Sequence, residues 1–345
     1  MPWEIPFVKK KDAITYKRHF KALLLLQIAT AGVFLGRAYQ HFFWDPPYRA
    51  FLWDESLLRE WIETNTSLTW HEYVTNPTIN HLIQNGIWAM GVLFLICGLV
   101  ALFIRNIPKT YGRILWLGTL GLLVLSVCYL KEHFFHLGQF FEYTLQFSAP
   151  VFLLLINYED AKFKDLEPWI RGAIALTFIC HGLYALGYYP TPGAWVQMVM
   201  NGLGLKESAA IGFLKAAGWL DLLVGFGLFF KGKYLPYLLW YAVFWGFLTA
   251  LARLWANFHF EFFFDSLHQS VYEMVYRLPH FLVPMAVLMY SGLRLPSIGW
   301  KKAPSFDKNG EPPAETLVTP NPELLKKNYF RDRETLQEKR RRLGI

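Results

Sequence analysis

The chain of 345 residues is 54% hydrophobic and 18% aromatic but only 17% charged, and its mean hydropathy is +0.23. Soluble domains carry about 25% charged residues, so the composition argues against an ordinary cytosolic enzyme. The net charge of +8 and pI near 9.2 do not point to nucleic acid, because the lysines and arginines gather at the termini and between apolar blocks, a topogenic pattern.

Residues 1–16 are predicted to be a basic cytoplasmic segment, followed by a full-length span instead of a short signal-peptide core. Crossing the roughly 30 Å hydrocarbon core of a bilayer takes about 20 helical residues. Windows of low charge predict eight helices, at about 22–43, 81–104, 114–136, 139–157, 171–189, 213–230, 234–255 and 278–294. The segment 44–80 between the first two is acidic and holds four tryptophans, Trp44, Trp53, Trp61 and Trp70. Leu57, Leu58, Trp61 and Ile62 there share one helical face opposite Arg59, Glu60 and Glu63, which predicts an amphipathic surface helix. Its shorter, more apolar counterpart is YPTPGAWVQMVMNGLGLKES, and the two together are expected to cover a cleft or to form a docking platform. Residues 158–170 read as a cytoplasmic linker, and 295–345 as a Pro-rich, then basic, cytoplasmic tail. Cys97, Cys128 and Cys180 each lie in an apolar block and read as small buried side chains.

Basic residues fall on one side of these spans: Lys9 to Lys21, then Arg105, Lys109, Arg113, Lys162, Lys164, Arg171, Lys231, Lys233, Lys301 and Lys302. By the positive-inside rule both termini are cytoplasmic.

The second half matches the first in order. GVFLGRAYQHFF pairs with LTFICHGLYALG (Phe34 on Phe178, Arg37 on His181), and NGIWAMGVLFL with AAGWLDLLVGF (Trp88 on Trp219, Met90 on Asp221). The third spans match Trp116 to Trp240, and the fourth match Glu142 to Glu273 and Gln146 to Arg277. This predicts an all-α polytopic membrane protein with eight transmembrane helices, arranged as two parallel four-helix repeats at 17–157 and 171–294.

The stretch RGAIALTFICHGLYALG, continued by AAGWLDLLVGFGLFF, resembles the DoxX-like family of four-helix membrane proteins. On that resemblance His181, Gly182 and Asp221 hold characteristic positions, while the first copy departs from it with Arg37 and Met90. The resemblance implies a bacterial inner membrane, protein partners, a quinone as the one cofactor to expect, and a role as accessory or quinone-linked subunit of a redox complex. A structural or assembly subunit and a carrier of a small lipophilic solute are the alternatives. Without a haem-attachment motif, an Fe–S cysteine set or a nucleotide fingerprint, the chain is not expected to be an enzyme on its own.

An ionisable side chain at membrane depth is costly unless paired, so Arg37, Glu142, His181, Asp221, Arg253 and Glu273 form the candidate polar site. Arg37 with Glu142, and Arg253 with Glu273, are expected to pair within each repeat. KEHFFH sets His133 and His136 three apart, on one face if helical, as a weak candidate metal pair to be completed from Glu132, Glu142, His259 or Glu261.

Overall fold

The structure is a computed structural model that describes residues 10–159 and 161–293, with side chains from Arg18 onward. The expected tail at 295–345 and residues 1–9 of the expected N-terminal segment lie outside them. Every regular element among the described residues is helical. α1 spans Lys10–Phe43, and α2 (Arg49–Leu52), α3 (Glu55–Asn65) and α4 (Trp70–Thr75) build the long connection at 44–80, the one expected to be outer. α5 (Pro77–Leu102), α6 (Lys109–Gly112), α7 (Ile114–Glu132), α8 (Leu137–Glu142) and α9 (Thr144–Tyr158) complete the first half. The second half comprises α10 (Phe163–Leu186), α11 (Gly193–Leu203), α12 (Glu207–Gly227), α13 (Leu235–Trp255), a 3-10 turn at Phe260–Phe262, α14 (Phe263–Tyr276) and α15 (Pro279–Ser291).

Among the described residues six helices are long and apolar enough to cross a membrane: Arg18–Phe43, Pro77–Leu102, Lys109–Glu132, Phe163–Leu186, Glu207–Gly227 and Leu235–Trp255. Of the other two expected spans, 139–157 is interrupted at Tyr143, and 278–294 is the single helix α15, whose 13 residues fall short of a full crossing. The fourth helix of each half breaks, at Tyr143 between α8 and α9 and at Arg277–Leu278 between α14 and α15. In the second half Pro279 follows the break, and a proline has no backbone N–H with which to continue the helical ladder. α10 also starts earlier than expected, inside the stretch read as a linker. Phe163 and Ile170 are buried one helical face apart, and the Phe163 ring stacks on Tyr290 at 4.4 Å, so this polar-looking stretch has an apolar stripe to bury.

Local signals account for the outer connection. Asp54 caps α3 by accepting from the Leu57 N–H at 3.1 Å, Thr69 and Glu72 form a capping box on α4, and Asn76 caps α5 ahead of Pro77. In α3 the expected amphipathic pattern is present: Ile62 is buried and Leu57 and Trp61 are exposed, while Arg59 pairs with Glu55 at 2.8 Å and Glu63 at 3.2 Å.

α1 and α10 form the centre, with 67% and 61% of their apolar windows buried against 33–44% for the other four long helices, whose outward faces are apolar. α1 packs on α5, and α10 on α12; α14 and α15 also pack on α1, and α8 and α9 on α10, so the halves interlock through their broken helices. Because lipid gives no hydrophobic drive for helices to associate, close approach depends on small residues. A Cβ on Gly182 would lie 2.8 Å from the Gly218 carbonyl oxygen, which puts α10 and α12 in backbone contact; one on Gly246 would lie 2.5 Å from the His280 carbonyl oxygen, joining α13 to α15.

One end of the bundle gathers the starts of α1 and α10 with the ends of α9 and α15. There the His19 and Phe163 rings meet Tyr290, Lys109 Nζ lies 3.2 Å from Glu159, the Tyr158 hydroxyl donates to the Ile104 and Ile107 carbonyls, and Arg171 donates to the Leu228 carbonyl at 2.6 Å. At the opposite end Lys131, one residue before the end of α7, forms an ion pair with Asp54 of the outer connection.

Candidate functional site

His181 is on the buried side of α10 near its outer end, and its Nε2–H donates to the Glu142 carboxylate at 3.0 Å. Glu142 comes from α8 of the other half and also faces Arg277 Nη2 at 3.7 Å. Arg277, in the break before α15, donates to the Tyr276 hydroxyl at 2.7 Å and lies 4.0 Å from Glu273. Glu273 in turn faces Arg253 at 3.4 Å. The result is a chain of polar contacts from His181 through Glu142, Arg277, Glu273 and Arg253, the last four alternating in charge, running through the interlocked broken helices. Asp221 stands apart on α12: its carboxylate accepts from the Tyr241 hydroxyl at 2.8 Å and from Trp245 Nε1 at 3.3 Å.

Behind His181 lies His280, with ring centroids 5.5 Å apart and planes 18° from parallel. Its Nδ1–H donates to the Arg277 carbonyl at 3.1 Å, and its buried Nε2 has no partner. A hidden imidazole nitrogen without a partner is unusual, since buried polar atoms are nearly always hydrogen-bonded.

His181, Asp221, Arg253 and Arg277 all line one cavity of about 390 Å³. The rest of its wall is almost wholly apolar, including Trp195 and Met198 from α11, Phe213 and Ala217 from α12, and Trp245 from α13. The volume and the few convergent polar groups match a small-molecule pocket. α11 thus forms part of a wall, but no residue of 44–80 lines this cavity, so the two segments do not jointly cover it as a cleft between repeats. The pocket lies inside the second half and not between the halves, because the contact between halves is filled by α1, α8, α9, α10, α14 and α15.

The expected Arg253–Glu273 contact is present, but Arg37 does not pair with Glu142. Fully buried, Arg37 donates to Gln146 Oε1 at 2.6 and 3.2 Å, to Gln40 at 2.7 Å and to the Tyr129 hydroxyl at 3.3 Å, and its guanidinium lies 3.9 Å from the centre of the Tyr276 ring. The reason is the break at Tyr143: α8 leans onto α10, taking Glu142 to His181, while α9 keeps Gln146 beside α1. His133 and His136 are not on one helix either. α7 ends at Glu132, Phe134 and Phe135 take left-handed backbone at φ 53° and 57°, and His136 begins α8 while stacking on Tyr189 at 5.0 Å. Among the described residues no three His, Cys, Asp or Glu side chains gather closely enough to hold a metal ion.

Arg277, His280, Tyr241 and Trp245 were not among the candidates. Arg277 was visible as the residue matching Gln146, four after Glu273, a spacing that aligns an ion pair on a helix. The aromatic partners of Asp221 carried no such signal.

Comparison with known proteins gives no match: no family model, no curated protein and no solved structure aligns with this chain. The fold and its six long apolar helices define a polytopic membrane protein.

Proposed function

We propose that this chain is an eight-span, DoxX-like membrane protein, built from a duplicated four-helix unit, that lodges a lipophilic small molecule in its second half and works as an accessory, quinone-linked subunit of a redox complex. The carrying observation is the apolar cavity of about 390 Å³ with His181, Asp221, Arg253 and Arg277 in its wall. Ionisable groups at membrane depth are expensive, and four of them converging on one apolar pocket argue for binding.

Several features support the eight spans and the duplication. α9 returns to the end where α5 leaves off, with Glu159 beside Lys109, and α15 returns to the start of α1, with Tyr290 beside His19. Paired positions share their surroundings: Phe34 and Phe178 are buried, while Trp88, Trp219, Trp116 and Trp240 are exposed. Both fourth helices are broken. The end bearing Lys109, Arg113, Lys162, Lys164 and Lys231 is the cytoplasmic one on this reading, and the acidic outer connection faces the opposite side.

A quinone suits the pocket because its carbonyls accept hydrogen bonds from the arginines, and His181, whose Nε2–H is given to Glu142, keeps its other ring nitrogen as a proton acceptor. The test is thermal stabilisation of the purified protein by a short-tailed quinone. Stabilisation that falls at least about tenfold in apparent affinity in His181→Ala and Asp221→Asn is expected, a loss of roughly 1.4 kcal/mol. Equal stabilisation of both variants and the parent would remove the site. Native co-purification with an oxidoreductase supports the redox role; companions without redox centres favour a structural subunit instead.

A further inference from the structure

The lining of the cavity carries both signs of charge. Arg253 and Arg277 line it, whereas Glu142 and Glu273, which pair with them, stand behind them. Asp221 lines the same cavity, and its hydrogen-bond donors, Tyr241 and Trp245, are both neutral. Among the described residues no lysine, arginine or histidine lies within ion-pair distance of Asp221. The pocket is small, and apart from His181 and Thr249 its remaining lining is apolar or aromatic, so little else is there to separate a ligand's head from these groups.

An anionic head drawn by the arginines meets Asp221. A cationic head drawn by Asp221 meets two arginines. In a water-poor wall each like-charge encounter costs more than it would in solvent, and discrimination by such repulsion is a common source of specificity. A neutral group that both donates and accepts escapes both penalties: it donates to the carboxylate and accepts from an arginine. Building on the reading of this cavity as a site for a lipophile, we propose that its ligand carries an uncharged hydrogen-bonding head on an apolar body, and that Asp221 is the residue that turns lipophilic anions away.

Octanol, octanoate and octylammonium share one apolar body and differ in head charge. Each is titrated at neutral pH into the full-length protein in lipid nanodiscs, with the shift in unfolding temperature as readout. Octanol is expected to bind about tenfold more tightly than either ion, a difference equivalent to one unfavourable charge contact. In Asp221→Asn no carboxylate lines the cavity beside the arginines, and octanoate should overtake octanol. Ala217→Trp, which fills the cavity, should abolish the octanol shift and so separates pocket binding from partitioning into lipid. A charged probe that outperforms octanol on the parent protein, or an unchanged order of the three in Asp221→Asn, overturns the inference. Binding by none of the three, or shifts that survive Ala217→Trp, overturns the lipophile site itself and this inference with it.

Discussion

Arg37 and Glu142 illustrate how single side chains settle at membrane depth. A buried guanidinium needs its donors satisfied more than it needs a carboxylate, and Arg37 meets that need with two glutamines, a tyrosine hydroxyl and an aromatic face. Gln146→Ala is expected to lower stability by about 1–3 kcal/mol, since it strips an acceptor from a buried charged donor. Glu142→Gln should cost more, about 3–5 kcal/mol, because Arg277 and His181 both lose their nearest anion. Unfolding curves in a single detergent compare the two; equal losses would mean that Glu142 is not the hub. Outside the spans, Asp54 is held down to about 2 chiefly by its hydrogen bond to Lys131, with Ser56 adding to it. A carboxyl depressed in the folded state contributes stability above its unfolded pKa and loses it as pH falls through the folded value. The tie between the outer connection and α7 should therefore persist at pH 4 and fail towards pH 2. Pepsin cleavage near Ser67 should accelerate only across that interval, and Asp54→Asn should be cleaved readily throughout.

At the scale of helices, association rests on backbone approach. Gly246→Ala and Gly182→Ala place a methyl group 2.5 Å from the His280 and 2.8 Å from the Gly218 carbonyl oxygen, against backbone that cannot rotate away. Each should destabilise by roughly 1–3 kcal/mol, as overpacking does. Gly212 on α12 has open space around its Cβ position, so Gly212→Ala should be neutral or stabilise by up to about 1 kcal/mol. If all three substitutions shift the unfolding temperature alike, helix propensity and not close contact governs these positions. The broken fourth helices are the elements that sequence reading rendered least well. Windows of low charge mark apolar stretches, but a break at Tyr143 leaves no mark when apolar residues continue on both sides of it.

For the whole molecule, the decisive question is how often the chain crosses the bilayer. With eight crossings, residues 106 and 159 face one side and residue 67 the other; with α9 and α15 lying outside the membrane, 106 and 159 fall on opposite sides. Cys97, Cys128 and Cys180 are buried, so background labelling is low. Asn106→Cys and Glu159→Cys are expected to react with an impermeant maleimide only after the cytoplasmic face is exposed, and Ser67→Cys in intact cells. Opposite labelling of 106 and 159 removes the eight-span arrangement.

Composition and apolar block length sufficed to determine a helical membrane protein with a basic and an acidic end, because spanning a bilayer constrains segment length and charge whatever the packing. The candidates Glu142, His181, Asp221, Arg253 and Glu273 were legible for the same reason: a charge at that depth stands out in any one-dimensional reading. Apart from the contact between Arg253 and Glu273, their partners were not. Which carboxylate reaches which cation depends on where α8 and α14 lean after their breaks, and that is fixed by packing between segments more than a hundred residues apart, as between Arg37 and Gln146. Only the tertiary structure brought Glu142 across to the second half and enclosed the pocket there.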